Sequence, residues 1–351
     1  MSEGSLQLRE LQNGEEELAA AFVARQEFTP IWQAPLWGAF REQAVGERPR
    51  RFGVLRQGKL LTYVQVLERQ WPLGLKFWFI ERGPLLNVEV EDQTYLQAGL
   101  RVLWEGLQKV AQEEGLVGAR FDFPPGARLA QATEDFFPAL RAGVFSNFPQ
   151  LTLRLNLRQS EEKIWAAMKP KARYNFRVAC RQAVRVREIT DPQAAPVFYR
   201  LLQKTTARAG FRGHGELFYQ NFLRVLGPKQ ASLFLATQGA TPLAAVLLTF
   251  YGDTATYYFG ASDYRFRALM APYACQFAAL LAARQRGYHF YDLLGIAPAG
   301  ARQHPLAGVS TFKRKFGGEV VAYPPAREVI WRRKAFALAR AGRRVLAWWG
   351  C

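Results

Sequence analysis

Residues 233–260 read LFLATQGATPLAAVLLTFYGDTATYYFG, and the reading of this stretch decides the fold. A strand-like run, Leu233-Phe234-Leu235-Ala236-Thr237, meets a turn at Gln238-Gly239. A second run goes from Leu243 to Phe250, and a third, Thr256-Tyr257-Tyr258-Phe259-Gly260, follows. Short apolar runs bounded by turn residues are strand signals. The same parts occur earlier in the same order: Phe52-Gly53-Val54-Leu55-Arg56, the turn Gln57-Gly58, the run Leu60 to Leu67, then Phe77-Trp78-Phe79-Ile80 ending at Arg82-Gly83-Pro84. One supersecondary pattern is therefore present twice.

Each copy continues with a helix and a further strand. Leu96, Leu100, Leu103, Leu107 and Val110 step by four and three, which is one apolar face of an α-helix, and Tyr273, Phe277, Leu280 and Leu281 are the counterpart. Gly115 and Gly287 stand where left-handed caps end such helices. Each helix is followed by a short strand with one acid, Asp122 in Phe121-Asp122-Phe123 and Asp292 in Tyr291-Asp292-Leu293.

Strand, turn, strand, strand, helix, strand resembles the central run of a GNAT-like N-acyltransferase domain. The expected fold class is α/β (α+β), tandem GNAT-like domains with mixed sheets flanked by helices. The expected division is 1–150, 151–323 and a basic aromatic C-terminal helix over 324–351. Acetyl-CoA enzymes of this type bind pyrophosphate on bare amides of a Gly-rich loop at a helix N-terminus. Here that stretch reads Arg267-Ala268-Leu269-Met270-Ala271-Pro272, with Met in place of the first Gly and a Pro that removes an amide donor. The first copy has no such loop, so acyl-CoA is a poor fit as donor.

Composition agrees with a folded, anion-handling protein. The chain has 351 residues, 49% hydrophobic and 22% charged, too apolar for a disordered tail and too interrupted by charge for a membrane bundle. Lys and Arg number 47 against 29 Asp and Glu, a net charge of +18, which suits nucleic acid, phosphorylated metabolites or an acidic membrane surface. Cys180, Cys275 and Cys351 are widely separated, without CxxC or His at metal spacing, so neither a disulfide framework nor a zinc site is expected. No run of ~18 apolar residues and no signal-peptide pattern occurs, and a cytoplasmic location is expected.

Eight segments, in order, carry a family resemblance: Gln33-Ala34-Pro35-Leu36-Trp37 with Arg41; Glu81-Arg82-Gly83-Pro84; Lys171-Ala172-Arg173-Tyr174-Asn175-Phe176-Arg177; Thr205-Thr206-Ala207-Arg208-Ala209-Gly210-Phe211; Tyr258-Phe259-Gly260-Ala261-Ser262; Tyr291-Asp292-Leu293-Leu294-Gly295-Ile296; His304-Pro305-Leu306-Ala307-Gly308; and Phe312-Lys313-Arg314-Lys315-Phe316-Gly317-Gly318. On these, from about Ile31 to Tyr323, the chain resembles the FemABX family, the tRNA-dependent aminoacyltransferases of peptidoglycan cross-bridges. It is closest to the FemX-like short form without a long coiled-coil arm. The resemblance implies transfer of an amino acid from aminoacyl-tRNA to the stem-peptide amine of a peptidoglycan precursor, either lipid II or UDP-MurNAc-pentapeptide. It implies no cofactor and no metal. The other readings are a GNAT-like acyltransferase using acyl-CoA and a non-catalytic tRNA- or membrane-binding relative.

By that resemblance Lys313 lies where the aminoacyl ester and the tRNA 3′ end meet and stabilises charge, with Phe312 stacking on the terminal adenosine. Arg41 and Arg208 grip the diphosphate of the sugar-peptide, and many relatives have Lys at the position of Arg41. Arg212 is a further partner, one turn beyond Arg208 if that segment is helical. Asp122 orients or deprotonates the acceptor amine. Tyr258 bonds the stem peptide, and Tyr257 faces the opposite side of its strand. His304 is a loop hydrogen-bonder and Asp292 anchors the loop at Gly295.

Residues 169–187 hold seven cations and no acid, with Lys169, Arg173, Arg177, Arg181 and Arg185 every four residues. On a helix this makes a basic stripe suited to a phosphate backbone, and with Lys315 it is the expected tRNA contact. From Arg327 to Cys351 there are seven cations against one acid, interleaved with Trp331, Phe336, Leu338, Val345, Leu346, Trp348 and Trp349. That tail suits an interfacial helix at the inner membrane leaflet, a tRNA dock, or a final helix packed on the second domain.

Overall fold

The structure, a computed structural model, describes residues 6–28, 30–126, 140 and 148–338. The chain divides into two units: Met1–Phe148 with Tyr323–Cys351, and Pro149–Ala322.

In the first unit β1 (Gln7–Glu10), α1 (Glu16–Ala24) and α2 (Pro35–Val45) precede a meander of β2 (Arg48–Arg56), β3 (Lys59–Trp71) and β4 (Leu75–Glu81). The short β5 (Leu85–Leu86), the long α3 (Gln93–Glu113) and β6 (Gly118–Asp122) follow. Gln57 and Gly58 both have positive φ, so β2 and β3 join through a turn whose twist suits a two-residue hairpin. β4 and β6 are parallel, as a crossover helix requires. The stripe read in sequence is the core face of α3: Leu100, Leu103 and Leu107 cluster with Val64, Trp78 and Phe121, and Leu96 is buried as well. Each such side chain contributes about 1.5–3 kcal/mol of transfer free energy.

The second unit opens with β7 (Leu151–Asn156), α4 (Glu161–Ala167), α5 (Pro170–Arg181), β8 (Arg185–Ile189), α6 (Ala195–Ala209) and α7 (Glu216–Gln230). It continues with β9 (Ala231–Gln238), β10 (Thr241–Tyr251), β11 (Thr254–Ser262), α8 (Ala271–Gln285), β12 (Phe290–Gly295), α9 (Ala307–Lys313) and β13 (Glu319–Ala322). Its seven strands run in the order β13-β7-β12-β11-β10-β9-β8, antiparallel except for β11 and β12. α3 and α8 end alike: the amides of Gly115 and Leu116 return to Gln112 and Ala111, and those of Gly287 and Tyr288 to Arg284 and Ala283, with both glycines at positive φ. The repeated pattern thus builds two mixed sheets flanked by helices, the tandem GNAT-like architecture.

Two expectations are corrected. Arg185 begins β8 rather than continuing the helix, because α5 stops at Arg181 and Ala183 takes a left-handed φ of 52°. The expected tail helix starts as a strand: Arg327–Ile330 pairs antiparallel with β6 and joins the first sheet, and only 333–338 is helical among the described tail residues. Composition hid the period of two there, in which Val329 enters the core while Glu328 bonds Arg120 at 2.7 Å. Val345, Leu346, Trp348, Trp349 and Cys351 lie outside the described residues.

Candidate active site

The two parallel strand pairs differ in how far they stay together. In the first unit β4 and β6 stay in register over five positions, from Phe77 opposite Gly118 to Glu81 opposite Asp122. In the second, β11 and β12 pair only from Thr254 opposite Phe290 to Thr256 opposite Asp292. A bulge then leaves Tyr258 without an opposite residue, since Leu247 pairs Phe259 while Leu248 pairs Tyr257. β12 has its own irregularity between Asp292 and Gly295.

Past that last paired position lies Lys313, the final residue of α9. It is 7% exposed, its Nζ donates to the Gly295 carbonyl at 2.8 Å, and it stands 5.4 Å from the centroid of the Tyr257 ring. Burial pushes its ammonium down to about 8, with the Asp292 carboxylate pulling the other way. Asp292 is buried, accepts the Thr152 hydroxyl, and accepts the Leu294 amide at 2.6 Å, which holds the loop toward Gly295 as expected. Beneath them the Gln276 amide donates to the Tyr291 hydroxyl at 2.9 Å, and burial raises the Tyr257 and Tyr291 phenols well above their ordinary value. An ammonium largely desolvated and held on one carbonyl oxygen can give a proton or a strong hydrogen bond to a charge that develops beside it.

The sequence carries no role for the side chains of Tyr257 and Tyr291 or for the Gly295 carbonyl, although all three stand in its motif stretches, and nothing in it marks Gln276. Only the alternation along β11 pointed to Tyr257, and its ring does lie opposite that of Tyr258, which packs on Phe222 at 5.6 Å. Tyr257 also shapes the surface: a Cβ built on Gly260 would stand 1.8 Å from its hydroxyl, so only glycine lets this ring lie along the strand. The loop before α8 keeps Met270 at a φ of 52° and Pro272 in the first helical turn.

Phe312 is half-buried in a ring cluster with Tyr273 at 5.1 Å and Phe316 at 5.2 Å. Lys315 donates to the Tyr273 hydroxyl at 3.1 Å. His304 receives the Leu306 amide at 3.1 Å, a loop contact. Arg208 is exposed at the end of α6 with its guanidinium carbon 4.7 Å from the centroid of Tyr264, and Arg267 approaches the same ring at 4.7 Å. Arg212 is not one turn further along a helix: Gly210 ends α6 with a φ of 71°, and Arg212 sits exposed in the following loop.

On α5, Arg177 and Arg181 are exposed over the rings of Trp165 and Tyr174, and Lys169 is exposed at the N-cap. Arg173 is different. One of its nitrogens donates to the carbonyls of Ala166 at 2.9 Å and Met168 at 2.7 Å, which caps the end of α4.

In the first unit the planar fork of Arg41 is bound by Glu47, at 2.9 Å through Nε and 2.9 Å through a terminal nitrogen, and Glu81 lies 3.7 Å away. Arg69 closes on Glu47 from the other side, and Trp37 donates to Glu81 at 2.8 Å. Burial raises the Glu81 carboxyl against the pull of Arg41. The bidentate face expected to meet phosphate is thus filled by a carboxylate six residues on. Asp122 is buried at the end of β6. Among the described residues no group of three or more His, Cys, Asp or Glu could hold a metal, and no helix is long and apolar enough to cross a membrane.

No curated protein sequence matches the chain. Among solved structures, FemX aligns with a TM-score of 0.81 at 17% identity, over 95% of this chain and 99% of that one. A tandem GNAT protein from the clavulanic acid biosynthesis pathway aligns at 0.56 and 12% identity, over 93% and 98%. L-PGS from Bacillus licheniformis aligns at 0.52 and 10%, over 89% and 96%. At such identities the likeness is one of fold. The FemAB family profile matches residues 137–240 and 229–326 of the sequence itself. With more than half of its length so matched, the chain belongs to the FemAB family.

Proposed function

We propose that the protein is an aminoacyltransferase that moves an amino acid from aminoacyl-tRNA to the stem-peptide amine of a peptidoglycan precursor. The observation that carries this reading is the buried Lys313 ammonium, 2.8 Å from the Gly295 carbonyl where β11 and β12 part, in a chain of the FemAB family.

The ester of an aminoacyl-tRNA is already activated, so the enzyme's task is positioning and charge stabilisation. The acceptor amine attacks the ester carbonyl, the new C–N bond forms as the C–O bond to the tRNA breaks, and the 3′ hydroxyl leaves with a proton. Lys313 is poised to stabilise the oxyanion or protonate the leaving oxygen. Arg208 is proposed to hold the precursor's diphosphate, Tyr258 to meet the stem peptide, and Asp122 to orient the acceptor amine. Lys169, Arg177, Arg181 and Lys315 are proposed to meet the tRNA backbone, with Phe312 at its terminal adenosine. The reaction needs no cofactor and takes place in the cytoplasm.

Acyl-CoA is disfavoured by the same region. Pro272 offers no amide, and Met270 stands in place of glycine at the start of α8.

The test is incubation of the purified protein with charged, radiolabelled tRNA pools and lipid-linked or nucleotide-linked muropeptide. Labelled muropeptide that RNase abolishes supports the reading. Tight tRNA binding with no transfer from any pool sinks it in favour of a binding protein, and transfer from acyl-CoA sinks it in favour of a CoA enzyme.

A further inference from the structure

A cleft of about 580 Å³ opens in the second unit between α6, the start of β10 and the turn Tyr264–Leu269 that follows β11. Its volume falls within the ~300–1,000 Å³ of small-molecule sites. Val197, Leu201 and Phe266 give it an apolar wall, while Arg200, Lys204 and Arg265 bring three cations to it against one carboxylate, Asp263.

The walls are fixed before any ligand arrives. The Thr205 hydroxyl oxygen accepts the Ser262 amide at 2.9 Å, which ties α6 to the end of β11, and the Asp263 amide donates to the Leu243 carbonyl at 2.9 Å, which ties that end to β10. Asp263 is buried and accepts from Lys204 Nζ at 2.8 Å and from a terminal nitrogen of Arg265 at 2.6 Å. One carboxylate thus pins two cations whose side chains are still 45% and 72% exposed, and each keeps N–H donors for a ligand. Arg200, one turn before Lys204 on α6, makes no hydrogen bond, ion pair or ring contact among the described residues. The lining therefore carries a surplus of two positive charges.

We propose that this cleft binds a small organic phosphate, a dianionic phosphate ester on an apolar body. The phosphate meets Arg200, Lys204 and Arg265, whose charges and N–H donors suit its oxygens, and the body lies on Val197, Leu201 and Phe266. A dianionic headgroup neutralises the surplus. A lone carboxylate leaves half of it, and inorganic phosphate leaves the apolar wall bare. A polynucleotide backbone asks for cations alone and makes no use of that wall. The cleft shares no residue with the surroundings of Lys313 and needs no assumption about the transfer reaction.

Thermal melts and titration calorimetry of the full chain follow three probes: inorganic phosphate, phenyl phosphate and phenol. Phenyl phosphate is expected to raise the melting temperature and to bind severalfold more tightly than inorganic phosphate, and phenol is expected to show no saturable binding. Arg200→Gln removes a cation that holds no other group, so the fold is retained and affinity for phenyl phosphate is expected to fall about tenfold. Ala207 is an exposed residue of the same lining. Ala207→Glu is expected to abolish binding by placing a carboxylate there, whereas Ala207→Gln, of the same size, keeps most of it. Absence of saturable phenyl phosphate binding, equal affinity for inorganic phosphate, or unchanged affinity in Arg200→Gln and Ala207→Glu overturns the proposal. So does a short single-stranded RNA that binds more tightly than phenyl phosphate and loses its affinity in both variants, which would give the cleft to polynucleotide.

Discussion

The Lys313 ammonium lies 2.8 Å from the carbonyl oxygen of Gly295, eighteen residues earlier in the chain. This contact joins the end of α9 to the end of β12, and it keeps a cation where solvent scarcely reaches.

Holding it there has a stability consequence. The group titrates at about 8 in the folded chain against 10.5 in its ordinary state, so below pH 8 the full cost of burying the ammonium is present. Between about 8 and 10.5 the unfolded chain binds the proton and the native one does not, so stability rises with pH across that window. Lys313→Met is expected to abolish transfer and yet raise stability at pH 7 by ~1–2 kcal/mol, the shift of ~3 less the loss of a partner for Gly295. The gain should shrink between pH 8 and 10.5 and reverse above it, where the burial cost is gone and only the loss of a partner for Gly295 remains. Thermal melts from pH 6 to 11 check this, and a variant less stable at every pH would refute it. Wild-type turnover should decline as pH rises through about 8, as the ammonium is lost.

Arg41 separates a phosphate grip from an internal charge network. Its removal leaves the buried Glu81 and Glu47 with Arg69 as their remaining cation, so the cost is at most about the 3–5 kcal/mol of a fully broken buried pair. Arg41→Ala should lose most of that in urea unfolding at pH 7 and less at acid pH, where the raised Glu81 carboxyl takes a proton before it does in the unfolded chain. A variant of wild-type stability whose only defect is a raised KM for the precursor would show that Arg41 serves substrate instead.

The cations of α5 divide the same way. Arg173→Ala should lower stability by about 1–2 kcal/mol, because carbonyls at the end of α4 lose their donor. Arg177→Ala should leave the melt unchanged, weaken tRNA binding, and lower the slope of log affinity against log salt by about one. Filter binding across a salt series together with calorimetry reads both. The opposite pairing of effects would reverse the two roles.

Ala183 is a local test of the same helix. It ends α5 at a φ of 52°, and the Ala183 and Val184 amides return to Cys180 and Ala179 at 3.1 Å each, the bond pattern of a glycine-capped helix. Ala183→Gly should stabilise the protein by about 0.5–1 kcal/mol, because it relieves the left-handed strain at an exposed position where little packing is lost. Destabilisation in chemical unfolding would contradict this.

The duplicated strand, helix and cap pattern was legible in the sequence because its determinants are local. Periods of two and of 3.6, a turn glycine and a cap glycine act over a handful of residues, and α3 and α8 fall where their leucine and phenylalanine spacing puts them. The tail strand Arg327–Ile330 was not legible, because four residues among cations and aromatics carry too short a period and its partner β6 is some two hundred residues away.

Among the site residues, the family resemblance pointed to Lys313, but its surroundings came from elsewhere in the chain: Tyr257 from β11, Gly295 and Asp292 from β12, Thr152 from β7. The basic stripe likewise counted Arg173 and Arg177 as equals. What the sequence by itself determined was the repeated architecture and the surplus of positive charge. Which cations are spent on internal carbonyls and carboxylates, and which remain open to a polyanion, only the tertiary structure decided. The physical reason is that a charge's environment is set by neighbours in space, and these come from strands and helices that the chain order does not place side by side.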